Sequence, residues 1–154
     1  MIRLPVIATF VGLWVAPSLA WAQPGPRLEI SVSPTSVSFP SANPDVSPVV
    51  AAAPIVVTIR IRQSSGPWSL TVLANGDLIA GSSTVDITNV SWTATPAPPF
   101  QNGTLSKTVA QRMASGTGNV NPATNGSVTF RLANSWNYNA GVYTQTVTFT
   151  LSAP

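Results

Sequence analysis

The chain contains no cysteine and no histidine, and it has only four acidic residues among its 154 positions. Most protein catalysis uses these side chains for proton transfer, as nucleophiles or as metal ligands. We therefore expect no catalytic residue, no metal site and no cofactor, and we expect that the protein is not an enzyme. Without cysteine, an exported form has no disulfide framework, so its fold depends on packing alone. The acidic residues are Glu29, Asp45, Asp77 and Asp86.

Clustered positive charge is also missing, although the isoelectric point calculated from the sequence is 10.2. The seven Lys and Arg residues are scattered along the chain. Binding of nucleic acid requires a basic face that neutralises several phosphates. Only Arg60 and Arg62 are predicted to share a strand face, where two solvated arginines need no functional explanation. We therefore expect no nucleic-acid partner.

Residues 1–22 are typical of a secretory signal peptide, which we expect to be helical. Arg3 supplies the positive charge, residues 4–16 form an apolar run, and a small-x-small pattern, Ala-Trp-Ala, ends the segment. The apolar run is shorter than the about 20 residues that span a bilayer. We predict cleavage, which leaves a single domain over residues 23–154 that is secreted, extracellular or on the cell surface. We expect no membrane span after cleavage and no covalent anchor.

The rest of the chain alternates apolar and polar residues in short runs that turn residues separate. The last run is typical, because apolar side chains alternate with threonines between residues 143 and 151. Such spacing favours an immunoglobulin-like antiparallel β-sandwich of about seven strands, with a small barrel as the alternative. Strands are expected at 28–39 with a break at Pro34, and at 55–62, 68–74, 85–92, 105–113, 128–132 and 143–151, with loops at 41–54 and 115–126.

Turn signals and polar side chains add local predictions. Asn75-Gly76 is a strong signal for a hairpin, and the apolar face changes parity near residues 88–89, which predicts a bulge or a break. Asp77 and Asp86 follow or flank predicted strands and are expected to accept hydrogen bonds from nearby backbone groups. Tyr143 at the start of a strand is typical of a tyrosine corner.

Aromatic residues provide the candidates for ligand binding. Trp68 and Trp92 alternate in phase with aliphatic neighbours, which predicts that both belong to the core. Trp136 and Tyr138 lie among asparagines in a connector. They are the candidates for stacking on a carbohydrate ligand, and their alternative role is to close one end of the sandwich.

Two segments resemble the WxL family of bacterial cell-surface domains. In residues 66–70, Trp68 and Leu70 are similar to the first Trp-x-Leu motif of that family. Residues 140–154 resemble the C-terminal strand that holds the second motif, with Phe149 where the family has Trp. The resemblance implies noncovalent binding to cell-wall polymer or to other surface proteins. The matching positions in the second segment are Gly141, Tyr143, Phe149 and Leu151.

The same C-terminal stretch, Ala-Gly-x-Tyr followed by alternating Val and Thr, also resembles spore coat protein U and related secreted fimbrial subunits. Those proteins usually carry a cysteine pair, which this chain lacks. This resemblance implies a pilus or fibre subunit, which would assemble by exchange of a β-strand between neighbours. Residues 28–39 are the candidate donor strand, and pairing of that segment within its own domain would weaken the hypothesis.

The expected function is therefore a noncovalent binding or structural role in an exported bacterial surface or envelope protein. A strand-exchanging fibre subunit and a carbohydrate-binding module are the alternatives. The expected partners are cell-wall polymer, other surface proteins or further copies of the chain.

Overall fold

A computed structural model describes residues 25–62, 64–139 and 141–154 of the chain. The predicted signal peptide, residues 1–22, lies outside the described residues. The described parts contain a single short 3-10 helix, Ile87–Asn89. None of their helices has the length and apolar character needed to cross a membrane.

Eleven strands in the described residues form antiparallel sheets. A six-stranded sheet has the order β1-β3-β10-β7-β8, and β2 pairs with the end of β10. A three-stranded sheet has the order β11-β4-β9, and β5 pairs with β6. The strands are β1 (Arg27–Ser33), β2 (Val49–Ala51), β3 (Ile55–Arg62), β4 (Pro67–Ala74), β5 (Leu78–Ala80), β6 (Ser83–Val85), β7 (Val90–Thr95), β8 (Gly103–Thr104), β9 (Gln111–Thr117), β10 (Val120–Ala133) and β11 (Val147–Ser152).

The core lies between the six-stranded and three-stranded sheets, because alternate residues of their strands point inward. Along β3, the side chains of Val57, Ile59 and Ile61 are fully buried while their neighbours are half-buried or exposed. The indoles of Trp68 and Trp92 are also buried, which confirms their predicted place in the core. The pattern of alternation therefore determines which face of each strand the sandwich buries.

The strand order is that of an immunoglobulin sandwich, which confirms the predicted fold class. The order β1-β3-β10-β7 matches strands A-B-E-D, and β4 with β11 takes the places of C and F. The hydroxyl of Tyr143, just before β11, donates to the backbone oxygen of Asn139 at 3.0 Å, as in a tyrosine corner. Seven described strands have six or more residues, and the four others are pairings of two or three residues.

The N-terminal strand differs from the prediction in length and in its partner. β1 ends at Ser33, and neither Val37 nor Phe39 belongs to a strand. All seven residues of β1 pair with β3 of the same chain, from Arg27 opposite Arg62 to Ser33 opposite Val56. This pairing within the domain weakens the hypothesis that residues 28–39 are donated to a neighbour.

The stretch between residues 105 and 126 also differs from the prediction. Residues 105–110 form no strand, whereas β9 and β10 occupy most of the expected loop 115–126. Glycine, asparagine and proline disfavour strands locally, but pairing with β3 provides backbone partners that override this preference. An irregularity between Val120 and Thr124 accommodates Pro122, which cannot donate to the ladder. The expected loop 41–54 contains the short strand β2.

The two turn predictions have opposite outcomes. The prediction of a hairpin at Asn75-Gly76 is wrong, because β4 and β5, the strands on either side of it, do not pair with each other. β4 pairs with β9 and β11, and β5 pairs with β6. The backbone N–H of Asn75 donates instead to the oxygen of Thr146 at 3.0 Å, which directs the chain away from a hairpin. The predicted break near residues 88–89 is confirmed, since the 3-10 helix lies there and restores the apolar residues to the inner face.

Candidate functional site

The outer face of the three-stranded sheet is covered by hydroxyl groups, because its small polar residues alternate with buried ones. Ser69 lies opposite Ser152 on β11 and opposite Ser115 on β9. The oxygens of Ser69 and Ser152 are 3.1 Å apart, within hydrogen-bond distance. This surface, the hydroxyl face, consists of Ser69, Thr71, Ser115, Thr148, Thr150 and Ser152.

A β-bulge places one positive charge on the hydroxyl face. Ala114 pairs with Leu70, whereas Arg112 pairs with Thr71, so Met113 is an extra residue in β9. Met113 and Ala114 are therefore both buried, and Arg112 is turned outward and exposed. Bulges commonly redirect a side chain in this way. Within the described residues, no carboxylate forms an ion pair with Arg112.

An open groove of about 670 Å³ lies at the end of the hydroxyl face. Its floor includes Trp68, whose indole lies so close to Gly116 that a Cβ atom there would be 2.7 Å from the ring. Residue 116 therefore has to be glycine for the indole to pack beneath the strand. The groove is lined by hydroxyls, the Arg112 side chain and prolines. Six of its residues are Pro67, Ser69, Arg112, Ser115, Thr117 and Pro154.

The structure brings residues 66–70 and the C-terminal residues 147–152 together on neighbouring strands. Leu70 of β4 lies directly opposite Leu151 of β11, and Val72 lies opposite Phe149. Trp68 and Leu70 are buried, while Phe149 and Leu151 are half-buried and pack against the core. These side chains support the hydroxyl face from the inner side. Gly141 and Tyr143 precede β11 in the connector and lie apart from the groove lining.

The two candidate stacking residues differ in their exposure. Trp136 is 66% exposed, and its indole nitrogen donates to a carboxylate oxygen of Asp45 at 3.0 Å. Tyr138 is half-buried against the core, and burial raises the pKa of its hydroxyl. The Asn134 side-chain amide donates to the backbone oxygens of Ala42 and Ser47. These bonds hold the loop 42–47 beside Trp136. Trp136 is therefore the one of the two whose ring faces solvent broadly.

The three carboxylates other than Asp45 serve separate structural roles. Glu29 bonds Arg62 and lies 3.9 Å from Arg60 on the outer face of the six-stranded sheet. Asp77 accepts the backbone N–H of Ile87 at 3.1 Å, and Asp86 accepts that of Thr88 at 2.8 Å, which confirms their predicted roles. The described residues contain no group of three or more His, Cys, Asp or Glu placed to hold a metal ion.

Asp77 and Lys107 form a hydrogen-bonded ion pair of 2.6 Å. The bond from Lys107, followed by that from the Ile87 backbone, lowers the pKa of Asp77 below its ordinary value of 3.8. The same bond raises the pKa of Lys107 above 10.5. At neutral pH both groups are charged and paired, so this carboxylate has the properties of a structural group and not those of a general acid.

We expect Asp77→Asn to change the pH dependence of stability at both ends of the range. A carboxylate with a lowered pKa stabilises the fold above pH 3.8 and loses that contribution as pH falls through the lowered value. An amine with a raised pKa stabilises below pH 10.5 and loses that contribution as pH rises. The difference in unfolding free energy between wild type and variant should be flat at intermediate pH and shrink at both ends.

Urea unfolding at several pH values measures this difference. The asparagine amide oxygen preserves an acceptor for the Ile87 N–H, so the comparison isolates the charge. For Lys107→Met, the difference in unfolding free energy from wild type should also shrink at acid pH, because the substitution removes the largest cause of the lowered pKa of Asp77. A difference that stays constant across the whole pH range would contradict the assignment.

Comparison with models of protein families, with curated proteins and with solved structures found no match to this chain.

Sequence reasoning did not find the hydroxyl face as a site. Its hydroxyls come from three strands, and no local spacing shows that they share a surface. The threonine row of β11 was visible in the sequence, but on its own it indicates only an exposed strand face. The adjacent apolar residues Met113 and Ala114 were the one local signal of the bulge that redirects Arg112.

Proposed function

We propose that the protein is an exported bacterial surface or envelope component that binds cell-wall polymer noncovalently through the hydroxyl face. The observation that carries this proposal is the combination of an almost uncharged hydroxyl surface, an open groove and the single cation of Arg112. Hydroxyls act as both donors and acceptors, so rows of them suit a polyhydroxylated polymer. A guanidinium adds recognition of phosphate or carboxylate groups on such a polymer.

The pairing of the two WxL-like segments supports the same proposal. They lie on β4 and β11, the two strands that contribute most of the hydroxyl face. The resemblance implies binding to cell wall, and the surface chemistry that suits such binding lies on the same two strands. The scarcity of acids and the lack of histidine and cysteine in the chain also favour binding over catalysis.

We expect Arg112→Ser to weaken binding to purified insoluble cell wall by about tenfold or more, because a hydrogen bond to a charged group contributes about 1.5–3 kcal/mol. The matched control is Arg131→Ser, which removes the same charge from an exposed position on β10, in the other sheet. Cosedimentation with cell wall at several protein concentrations measures both affinities. Equal losses of affinity in the two variants would contradict binding through the hydroxyl face.

Two further observations, one by electron microscopy and one by cosedimentation, decide between the proposed function and its alternatives. Wild-type protein that does not sediment with cell wall but forms filaments by electron microscopy would overturn the proposal and favour a fibre subunit. Trp136→Ala serves as the test of an aromatic carbohydrate-binding surface, since its ring is the more exposed of the two candidates. Loss of binding in that variant alone would favour a carbohydrate-binding module.

A further inference from the structure

β11 is an edge strand with one side paired. It pairs with β4 over six positions, from Val147 opposite Ala74 to Ser152 opposite Ser69. Among the described residues, no strand pairs with its other side, which is where an immunoglobulin sandwich has strand G. An unpaired side of a strand presents backbone N–H and C=O groups that are a template for another strand.

Two other sheet edges, formed by β1 and β9, carry features that discourage such pairing. β1 includes Arg27 and Glu29 and is followed by Pro34. The outer side of β9 is covered, since the N–H of Gln101 donates to Met113 at 2.9 Å and that of Ser115 donates to Pro99 at 3.2 Å. Charge, proline and covering loops are the usual protections of sheet edges.

β11 differs from these edges, because no loop among the described residues makes a backbone hydrogen bond to residues 147–152. No charged residue occurs between positions 132 and 154, and residues 147–152 contain no proline. Its inward residues Val147, Phe149 and Leu151 are only half-buried, whereas their partners on β4 are almost fully buried. Ile30 on β1, across the same flank of the sandwich, is 38% exposed. An added strand would therefore gain backbone hydrogen bonds and cover partly exposed apolar groups.

We propose that β11 pairs antiparallel with β11 of a second copy of this chain, about a two-fold axis that passes midway between the two copies of Phe149. This register places Val147 opposite Leu151, Thr148 opposite Thr150 and Phe149 opposite itself. Each pair shares a face, as antiparallel pairing requires, and no like charges meet. All three inward apolar residues are paired within β11, whereas a register centred on Thr150 places Val147 opposite the small side chain of Ala153, beyond the end of the strand.

The second copy is the favoured occupant because the strand is complementary to itself in this register. A two-fold contact of identical edges closes after two copies, so it yields a dimer and not a fibre. The three-stranded sheets of both copies then form one continuous sheet with the order β9-β4-β11-β11-β4-β9. This inference does not depend on the proposed function, since it concerns the edge of the sheet and not its outer face.

The first test is sedimentation of the full chain over a range of concentrations, with the N-terminus of the soluble product determined by mass spectrometry. Wild type should interconvert between monomer and dimer. Thr148→Lys combined with Thr150→Lys should weaken the dimer at least tenfold, because the substituted positions face each other across the axis. The control, Ser31→Lys with Ser33→Lys, adds the same charge to exposed positions of β1 and should leave the dimer unchanged.

The outcomes of this test are decisive. Circular dichroism has to show that both double variants remain folded. A wild type that stays monomeric, or that assembles beyond the dimer as a strand-exchanging fibre would, overturns the proposal. Equal weakening by the two double variants overturns it as well, since it would reflect net charge. Wall binding by Arg112→Ser is measured separately, so failure of the dimer and failure of the proposed function are distinguishable.

The second test uses the absence of cysteine in the natural chain to determine the register. Opposed β-carbons in adjacent strands lie within disulfide reach. Mixing the variants T148C and T150C under oxidising conditions should therefore give a disulfide-linked heterodimer. Each variant alone should give much less crosslinked product. Crosslinking of T150C to itself would overturn the register in favour of one centred on Thr150, and no crosslink in any sample would overturn the β11 contact.

Discussion

Trp92→Ala is expected to lower the free energy of unfolding by about 3–5 kcal/mol, whereas Trp136→Ala should change it by less than about 1 kcal/mol. Trp92 is only 1% exposed, and its indole nitrogen donates to the backbone oxygen of Gln101 at 2.8 Å. Truncation leaves both a cavity and an unpaired carbonyl. Trp136 faces solvent, so its loss leaves no cavity and releases one hydrogen bond to Asp45.

Chemical denaturation monitored by circular dichroism measures both variants on the same scale. A domain of this size has an unfolding free energy of about 5–15 kcal/mol, so the Trp92 variant retains only part of it. If that variant does not fold, Trp92→Phe provides a milder truncation at the same position. Similar losses for the two tryptophans would contradict the division into a core residue and a surface residue.

Gly126→Ala is expected to destabilise the fold by about 1–3 kcal/mol through overpacking. Gly126 lies on β10 opposite Val57 in the middle of the six-stranded sheet. A Cβ atom there would lie 2.4 Å from the ring of Phe100, which is itself almost fully buried. Replacing glycine by alanine in a strand normally stabilises by restricting the unfolded chain, so destabilisation here identifies the clash with the ring.

A double-mutant cycle tests this cause directly. Phe100→Leu removes the part of the ring that a Cβ atom would meet, so the loss caused by Gly126→Ala should be smaller in that background. The matched control is Gly25→Ala, where no atom lies within 4 Å of the added group. Additive losses at positions 100 and 126, or a stabilised Gly126→Ala protein, would contradict the packing described for this pair.

Local alternation was sufficient to predict the strands whose pattern is regular. β3 spans residues 55–62 as predicted, and the parity change near residues 88–89 correctly predicted a break in the strand, where a 3-10 helix lies. The errors fall where distant partners decide the backbone conformation. Residues 115–126 have the composition of a loop, yet most of them form strands because β3 and β4 lie beside them.

The candidate site was less predictable than the fold. Trp136 and Tyr138 stood out in the sequence because aromatic residues in a connector are conspicuous. The hydroxyl face did not stand out, since serine and threonine are common in this chain and the surface requires three strands to be adjacent. The outward position of Arg112 depends on a bulge opposite β4, which a single strand read alone does not show.

The amino-acid sequence by itself determined the class of the molecule. Alternation with a period of two made it an all-β fold. Only the tertiary structure decided which segments become neighbours. It placed β4 and β11 side by side, turned Arg112 onto the hydroxyl face and left one side of β11 without a partner in the described residues. The physical reason is that strand pairing satisfies backbone groups between segments far apart in the chain, and local composition carries no information about that choice.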